Sequence, residues 1–150
     1  MKLLFGGLIA VIVLGLYAYS VVFAISVVNC INTTGCSALT AASFTDGFAQ
    51  TMTTVGGLVS ALVIAELAIT KPGEAPVARA LDPSASVAQI NALKVVTGVY
   101  LLVWLALGLA AYVVGAMWHP GTIMPLTDLG QGWLGLAVAA GYAYFGINPA

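Results

Sequence analysis

Four long apolar stretches, separated by short polar segments, dominate the pattern of hydrophobic and polar positions along the chain. They occupy residues 3–28, 48–70, 95–117 and 129–147. A helix needs roughly 20 apolar residues to cross a bilayer core about 30 Å thick. The pattern therefore predicts an all-α integral membrane protein, a four-transmembrane-helix bundle. Because the connections are too short for a soluble domain, we expect residues 1–150 to form a single membrane domain.

Polar and turn-forming residues indicate where the predicted helices begin. Thr45 and Asp46 precede the second apolar stretch, where a side-chain oxygen can accept a hydrogen bond from the first amides of a helix. Pro83 and the polar residues that follow it predict a third helix that starts near residue 83 and extends from the membrane into the cytoplasm. We expect Thr127 or Asp128 to cap the fourth helix.

The basic residues predict the orientation of the chain in the membrane. All of them fall on the same side once the four stretches are laid across a bilayer: Lys2, Lys71, Arg79 and Lys94. Basic residues are enriched on the cytoplasmic side of membrane proteins. We therefore expect a multi-pass protein of the plasma or inner membrane, with both termini in the cytoplasm. The loops at residues 29–47 and 118–128 are then extracytoplasmic.

The composition excludes a soluble globular domain. The chain is 61% hydrophobic and 6% charged, with a mean hydropathy of +1.08, whereas about a quarter of the residues in soluble domains are charged. The net charge of −1 gives no basic surface for nucleic acid. The expected partners are the lipid bilayer and other membrane-protein chains. No cofactor is predicted, although such a surface is compatible with a bound lipid.

Aromatic residues indicate how deep parts of the chain lie in the membrane. Trp118 and Trp133 are predicted near the outer membrane interface, where amphipathic rings prefer to lie. Tyr17, Tyr19 and Trp104 fall closer to the middle of their stretches. We expect these three to face other helices, where a hydroxyl or an indole N–H finds a partner.

Two cysteines, Cys30 and Cys36, lie in the first predicted outer loop. Neighbouring cysteines outside the cytoplasm normally form a disulfide, and closing so small a ring stabilises the fold by about 2 kcal/mol on the chain-entropy model. The alternative is a thiol-exchange centre, which usually has the closer Cys-x-x-Cys spacing. The spacing here favours a structural disulfide.

Small residues recur at helical spacing within the apolar stretches. Such residues let two helix backbones approach closely in lipid. They serve either packing within the bundle or an interface between chains. The predicted helix-packing positions are Gly6, Ala10, Gly15, Ala111, Gly115, Ala137 and Gly141.

Glu66 is a carboxylate inside an apolar stretch. An ionisable residue in a membrane helix is a functional candidate because burying its charge is costly. With Thr53 and Ser60 it approximates a stripe along the second helix, which makes these three a candidate intramembrane polar site. The alternative is that Glu66 reaches the lipid headgroups or pairs with a basic residue near the cytoplasmic end.

Three polar residues of the predicted outer segments form a second candidate cluster. They are His119, Asp128 and Asp46. A single histidine with this spacing matches no known zinc-ligand pattern, so no metal site is predicted. The sequence around them has no nucleophile elbow, and we therefore predict no catalytic residues.

These observations favour a non-catalytic accessory or structural membrane subunit. In this interpretation the chain packs through Gly/Ala-rich helix faces and ordered outer loops into a homo-oligomer or a larger membrane complex. The alternative is an oligomeric channel or transporter for ions or small solutes that uses Glu66 and helix faces lined by Thr and Ser. A third hypothesis is a membrane enzyme that uses the thiols or a quinone.

Overall fold

The computed structural model describes residues 2–69 and 87–145, and the environments of side chains between residues 7–64 and 95–142. Lys71, Arg79, the predicted helix start near residue 83 and the end of the fourth stretch at residue 147 lie outside the described residues. The side chains of Lys2, Glu66 and Lys94 are likewise outside them.

The described residues form four α-helices and no strand, which confirms the all-helical prediction. The helices are α1 (Lys2–Asn32), α2 (Asp46–Ile69), α3 (Val87–Ala111) and α4 (Met124–Phe145). A short 3₁₀-helix, Ala41–Ser43, precedes α2, and α3 continues as a π-helical segment, Tyr112–Trp118.

Three segments are long and apolar enough to cross a membrane, which is consistent with a membrane protein. They are Gly7–Asn32, Asp46–Ile64 and Val95–Trp118. Among the described residues α4 does not join them, and its first half carries the polar residues Thr127, Asp128 and Gln131. A fourth crossing therefore stays a prediction.

The helices are arranged around the bundle in the order α1, α2, α4, α3. α1 packs against α2 and α3, α4 packs against the same two helices, and few residues meet across either diagonal. Phe23 of α1 contacts Phe48 at the start of α2, so these helices run antiparallel. Gly115, in the π segment that continues α3, lies against Leu126 near the start of α4, so α3 and α4 are antiparallel as well.

Buried side chains concentrate toward one end of the bundle. We call this end, which contains Cys30, the disulfide end. Helix α1 and the π segment finish there, and α2 and α4 begin there. No residue from 7 to 16 on α1 or from 95 to 103 on α3 is buried, whereas burial begins at Tyr17 and Trp104. The core therefore closes the disulfide end most tightly.

Helix α4 starts earlier than the sequence predicts. It begins at Met124, so Thr127 and Asp128 lie inside its first turns rather than at its cap. The prediction for α2 was closer: the Phe48 N–H donates to the Thr45 hydroxyl oxygen at 3.3 Å. Thr45 is therefore the capping side chain there, and Asp46 is the first helical residue.

Glycine allows α3 and α4 to approach closely. A Cβ atom at Gly130 would lie 2.7 Å from the Cα of Tyr112 and 2.8 Å from its nitrogen, and one at Gly115 would lie 3.0 Å from the carbonyl carbon of Leu126. A Cβ at Gly108 would overlap the indole ring of Trp133. Because two of these contacts are with backbone, they cannot be relieved by a change of rotamer.

We expect Gly130→Ala to destabilise the bundle by about 1–3 kcal/mol, the usual effect of overpacking, even though alanine favours helix over glycine. Gly98→Ala is the matched control, because no atom lies within 4 Å of a Cβ there. The free energy of unfolding in mixed micelles is the measurement. Equal stability of the two variants would contradict the close approach.

Candidate functional site

A polar contact crosses the centre of the bundle between two helices that are otherwise diagonal. The indole N–H of Trp104 on α3 donates to the hydroxyl oxygen of Ser60 on α2 at 3.0 Å, and both side chains are buried. A buried polar group without a partner is costly. The bond therefore fixes the separation of α2 and α3 across the diagonal.

Trp133 packs beside this contact. Its ring centroid lies 5.9 Å from that of Trp104, with the planes inclined at 58°, and the slot left by Gly108 receives its indole. Trp133 is only 7% exposed, so it packs in the core, and its depth near the outer membrane interface stays a prediction. Within the described residues its Nε1 and the hydroxyl of Tyr100 are buried without a hydrogen-bond partner.

Thr127 joins the π segment, the following turn and α4. Its hydroxyl donates to the carbonyl oxygen of Gly115 at 2.7 Å and accepts the N–H of Gly121 at 3.2 Å. Gly121 has a φ of +79°, which favours glycine. Carbonyls in the last turn of a helix lack partners from their own helix, and Thr127 supplies one. This use of the hydroxyl explains why Thr127 does not cap α4.

The disulfide end contains the predicted cysteine pair at bonding distance. Cys30 and Cys36 are joined, with their Cα atoms 5.2 Å apart. The bond ties a tight turn to the last turn of α1, and the Cys36 N–H also donates to the carbonyl oxygen of Thr33 at 3.2 Å. Both sulfurs are engaged, so neither is a free thiol.

Four aromatic rings cluster on the surface below this turn. Phe48 lies edge-on to Phe23 at 5.0 Å and to Phe44 at 5.1 Å, and Tyr19 stacks on Phe23 at 6.1 Å. Tyr19 is 63% exposed and its ring lies 6.4 Å from that of Phe48, so it reaches α2 from the surface, whereas Tyr17 and Trp104 are buried in the core. The cluster joins α1, the loop and α2.

The predicted intramembrane polar site is divided between two environments. Ser60 is in the core and bonded to Trp104, whereas Thr53 is exposed and donates back to the carbonyl oxygen of Ala49 at 3.0 Å. The side chain of Glu66 lies outside the described residues. Ser60 and Thr53 do not line a common surface.

The predicted outer cluster does not form a ligand set. Asp46 and Asp128 are exposed and His119 is half-buried. Among the described residues no group of three His, Cys, Asp or Glu side chains is arranged to hold a metal ion.

The predicted packing positions divide between the interior and the surface. Ala111 and Gly115 are buried, and Ala137 packs against the core. Ala10 is half-buried, and Gly6 lies outside the range of described side chains. No atom lies within 4 Å of a Cβ at Gly15 or Gly141. The close approaches at Gly108 and Gly130 were not predicted, because a lone glycine in a Gly-rich helix gives no sign of which face it occupies.

The bundle surface differs in chemistry between two sides, although α2 and α4 also expose Leu58, Leu62, Leu134 and Val138. The exposed positions of α1 and α3, which are neighbours, carry large apolar side chains that include Leu8, Ile12, Leu16, Val99, Leu102 and Leu109. The exposed side of α2 and α4 carries two stripes of small and polar residues, which we call the α2/α4 seam. The stripes are Gln50, Thr54, Gly57 and Ala61 on α2, and Asp128, Gly132, Gly135 and Ala139 on α4.

The two stripes of the seam have the same helical spacing of i, i+4, i+7 and i+11, so each follows one face of its helix. With 3.6 residues per turn, the centre of the α4 stripe lies about 90° from Leu129 around the helix axis and about 170° from Gly130. Leu129 contacts Gly56 of α2, and Gly130 contacts α3. The α4 stripe therefore lies on the side of its helix nearer α2.

No protein-family model, curated protein or solved structure matches this chain.

We expect Trp104→Phe to lower the free energy of unfolding more than Trp133→Phe. Both substitutions remove a similar area of aromatic ring. The indole N–H of Trp104 donates to Ser60, however, whereas that of Trp133 is buried without a partner. Ser60→Ala should cost about 1–3 kcal/mol, because it leaves the Trp104 N–H buried and unpaired, and should cost much less in the Trp104→Phe background. Additive effects of Ser60→Ala and Trp104→Phe would contradict the bond.

Thr127→Val should destabilise the protein by about 1–3 kcal/mol, because an isosteric apolar side chain leaves the Gly115 carbonyl and the Gly121 N–H without their partner. Thr127→Ser keeps the hydroxyl and should retain more stability. Thr53→Val is the control, since that hydroxyl is exposed and bonds only within its own helix. The measurement is the free energy of unfolding in mixed micelles. Equal values for the valine and serine variants of Thr127 would refute this role.

Proposed function

We propose that this chain is a non-catalytic membrane subunit that crosses the bilayer four times, with both termini in the cytoplasm. It associates through the α2/α4 seam with other membrane helices, either its own copies or the subunits of a larger complex. The two-sided surface carries this proposal.

The register of the helices supports four crossings. A slab of about 30 Å spans roughly 20 helical residues. If one face of this slab is placed at the level of Trp118 and Met124, its other face lies near Phe145 on α4 and between Lys94 and Gly98 on α3. Leu129 and Tyr17 both lie beside a Cβ placed at Gly56, so the same slab starts near Thr51 on α2 and near Val22 on α1.

On those two helices the slab ends near Ile69, the last described residue of α2, and near Lys2 at the start of α1. A lysine therefore lies at or near the same boundary on α1 and on α3, which is the distribution typical of a cytoplasmic face. The disulfide end is then extracytoplasmic, in keeping with the environment in which disulfides persist.

The two sides of the bundle suit different neighbours. Large apolar side chains on α1 and α3 match lipid tails, which are as apolar as leucine. The α2/α4 seam offers lipid little apolar surface, but its small residues let another helix approach closely. Asp128 lies about one turn inside the slab, where facing lipid is costly for a carboxylate. Another protein surface is therefore the better neighbour for the seam.

The mass of the particle in lipid nanodiscs tests this function. We expect Gly132→Leu and Gly135→Leu to weaken assembly at least about tenfold, because a bulky side chain on a close-packed interface costs about 1–3 kcal/mol. Gly98→Leu, an exposed glycine on the apolar α3 side, should assemble like the unaltered chain.

A lone monomer, or seam variants that assemble normally, would overturn the proposal. Ion or solute flux through the purified protein that disappears in Glu66→Gln would instead support the channel alternative.

A further inference from the structure

We propose that four aromatic side chains anchor the bundle to the glycerol-ester region of the extracytoplasmic lipid leaflet. We call them the outer aromatic cluster: Tyr19, Phe23, Phe44 and Phe48. In this anchor the hydroxyl of Tyr19 donates a hydrogen bond to an ester carbonyl oxygen of a phospholipid. The inference rests on the proposed function, which places the disulfide end outside the cytoplasm, and it names the lipid surface that this end contacts.

The cluster is packed together and open to its surroundings. Phe48 lies edge-on to Phe23 and Phe44, at 5.0 and 5.1 Å between ring centroids, and Tyr19 stacks on Phe23. The four rings come from α1, from α2 and from the loop between them, so their contacts hold these three segments together. Tyr19 is 63% exposed, and most of this side chain therefore faces the surroundings of the bundle.

The depth of the cluster follows from contacts that involve none of its members. The contacts around Gly56 set the outer face of the slab near Val22 on α1 and near Thr51 on α2. With a rise of 1.5 Å per residue, Tyr19 lies about 5 Å inside this face and Phe48 about 5 Å outside it. The cluster therefore crosses the boundary of the hydrocarbon layer, although Tyr19 is close to the middle of its apolar stretch in the sequence.

The chemistry of the cluster suits the ester groups at this boundary. Amphipathic aromatic rings prefer the membrane interface, because the ring stays in the apolar layer while the hydroxyl of a tyrosine reaches polar atoms. The outer segments, residues 29–47 and 118–128, contain no Lys or Arg that could bind a lipid phosphate. The uncharged ester carbonyls are therefore the better acceptors for Tyr19.

A spin label at position 22 tests the anchor. With both native cysteines joined, Val22→Cys supplies a single thiol, one turn from Tyr19. All chains also carry Trp118→Leu, which removes the exposed aromatic side chain at the same level of α3. In phosphatidylcholine vesicles of increasing acyl-chain length, an anchored bundle keeps the label at the outer boundary. With Tyr19→Leu we expect the label to move deeper by about half of the increase in thickness, because an unanchored bundle stays centred.

Leu16→Ala is the matched control, since it shortens an exposed apolar side chain one turn deeper on α1 and should leave the label in place. The lipid linkage tests the hydrogen bond. Tyr19→Phe keeps the ring and should deepen the label in ester-linked phosphatidylcholine. It should match the chain with Tyr19 in ether-linked phosphatidylcholine, which has no ester carbonyl.

A label that stays at the boundary in Tyr19→Leu would overturn the anchor, and a Tyr19→Phe chain that behaves like the parent in ester-linked lipid would overturn the hydrogen bond. A separate label at Ile12, about 15 Å inside the outer face, tests the crossing. If the Ile12 label lies in hydrocarbon while the Val22 label ignores Tyr19, this inference alone fails. If a water-soluble relaxation agent reaches the Ile12 label, the proposed function fails too.

Discussion

The close approach of the α3 and α4 backbones is the constraint on which the rest of the bundle depends. Where Gly130 meets Tyr112, no side chain separates the two helices. The same closeness seats Trp133 in the slot at Gly108, and Trp133 in turn supports the ring of Trp104. In lipid, where apolar surface offers no net drive to associate, packing at short distance is the main favourable term.

Polar groups then determine what each surface can contact. Those in the interior are mostly engaged, as with Trp104 and Ser60 or with Thr127 and the end of the π segment. On the surface, threonines bond within their own helix, which lets a hydroxyl lie in an apolar medium at little cost. Asp128 is different, because a carboxylate has no hydrogen to give and must receive bonds from elsewhere. Asp128 lies on the α2/α4 seam, among its small residues.

The sequence predicted where the helices lie along the chain better than it predicted which side of each helix is buried. Apolar length and turn residues identified the four α-helices of the described residues, and Thr45 was recognised as a capping candidate, but the 3₁₀-helix and the π segment were not predicted. Among the tyrosines and tryptophans, Trp133 is buried in the core, whereas Tyr19 contacts α2 only from the surface, and the sequence did not distinguish the two cases. Within a uniformly apolar helix, the polar–apolar contrast that normally marks the buried side is missing. Depth along such a helix can be estimated, but its rotation cannot.

The sequence by itself determined the helical class, the lipid-like surface and the disulfide, because length, composition and cysteine spacing act locally along the chain. The tertiary structure decided which glycines are contacts: Gly108, Gly115 and Gly130 meet a neighbouring helix, whereas Gly15 and Gly141 have none within reach. It also decided that Thr127 bonds across a turn and that α2 and α4 share one exposed side. These outcomes depend on how four helices rotate against each other, and that rotation is set by packing between residues far apart in sequence.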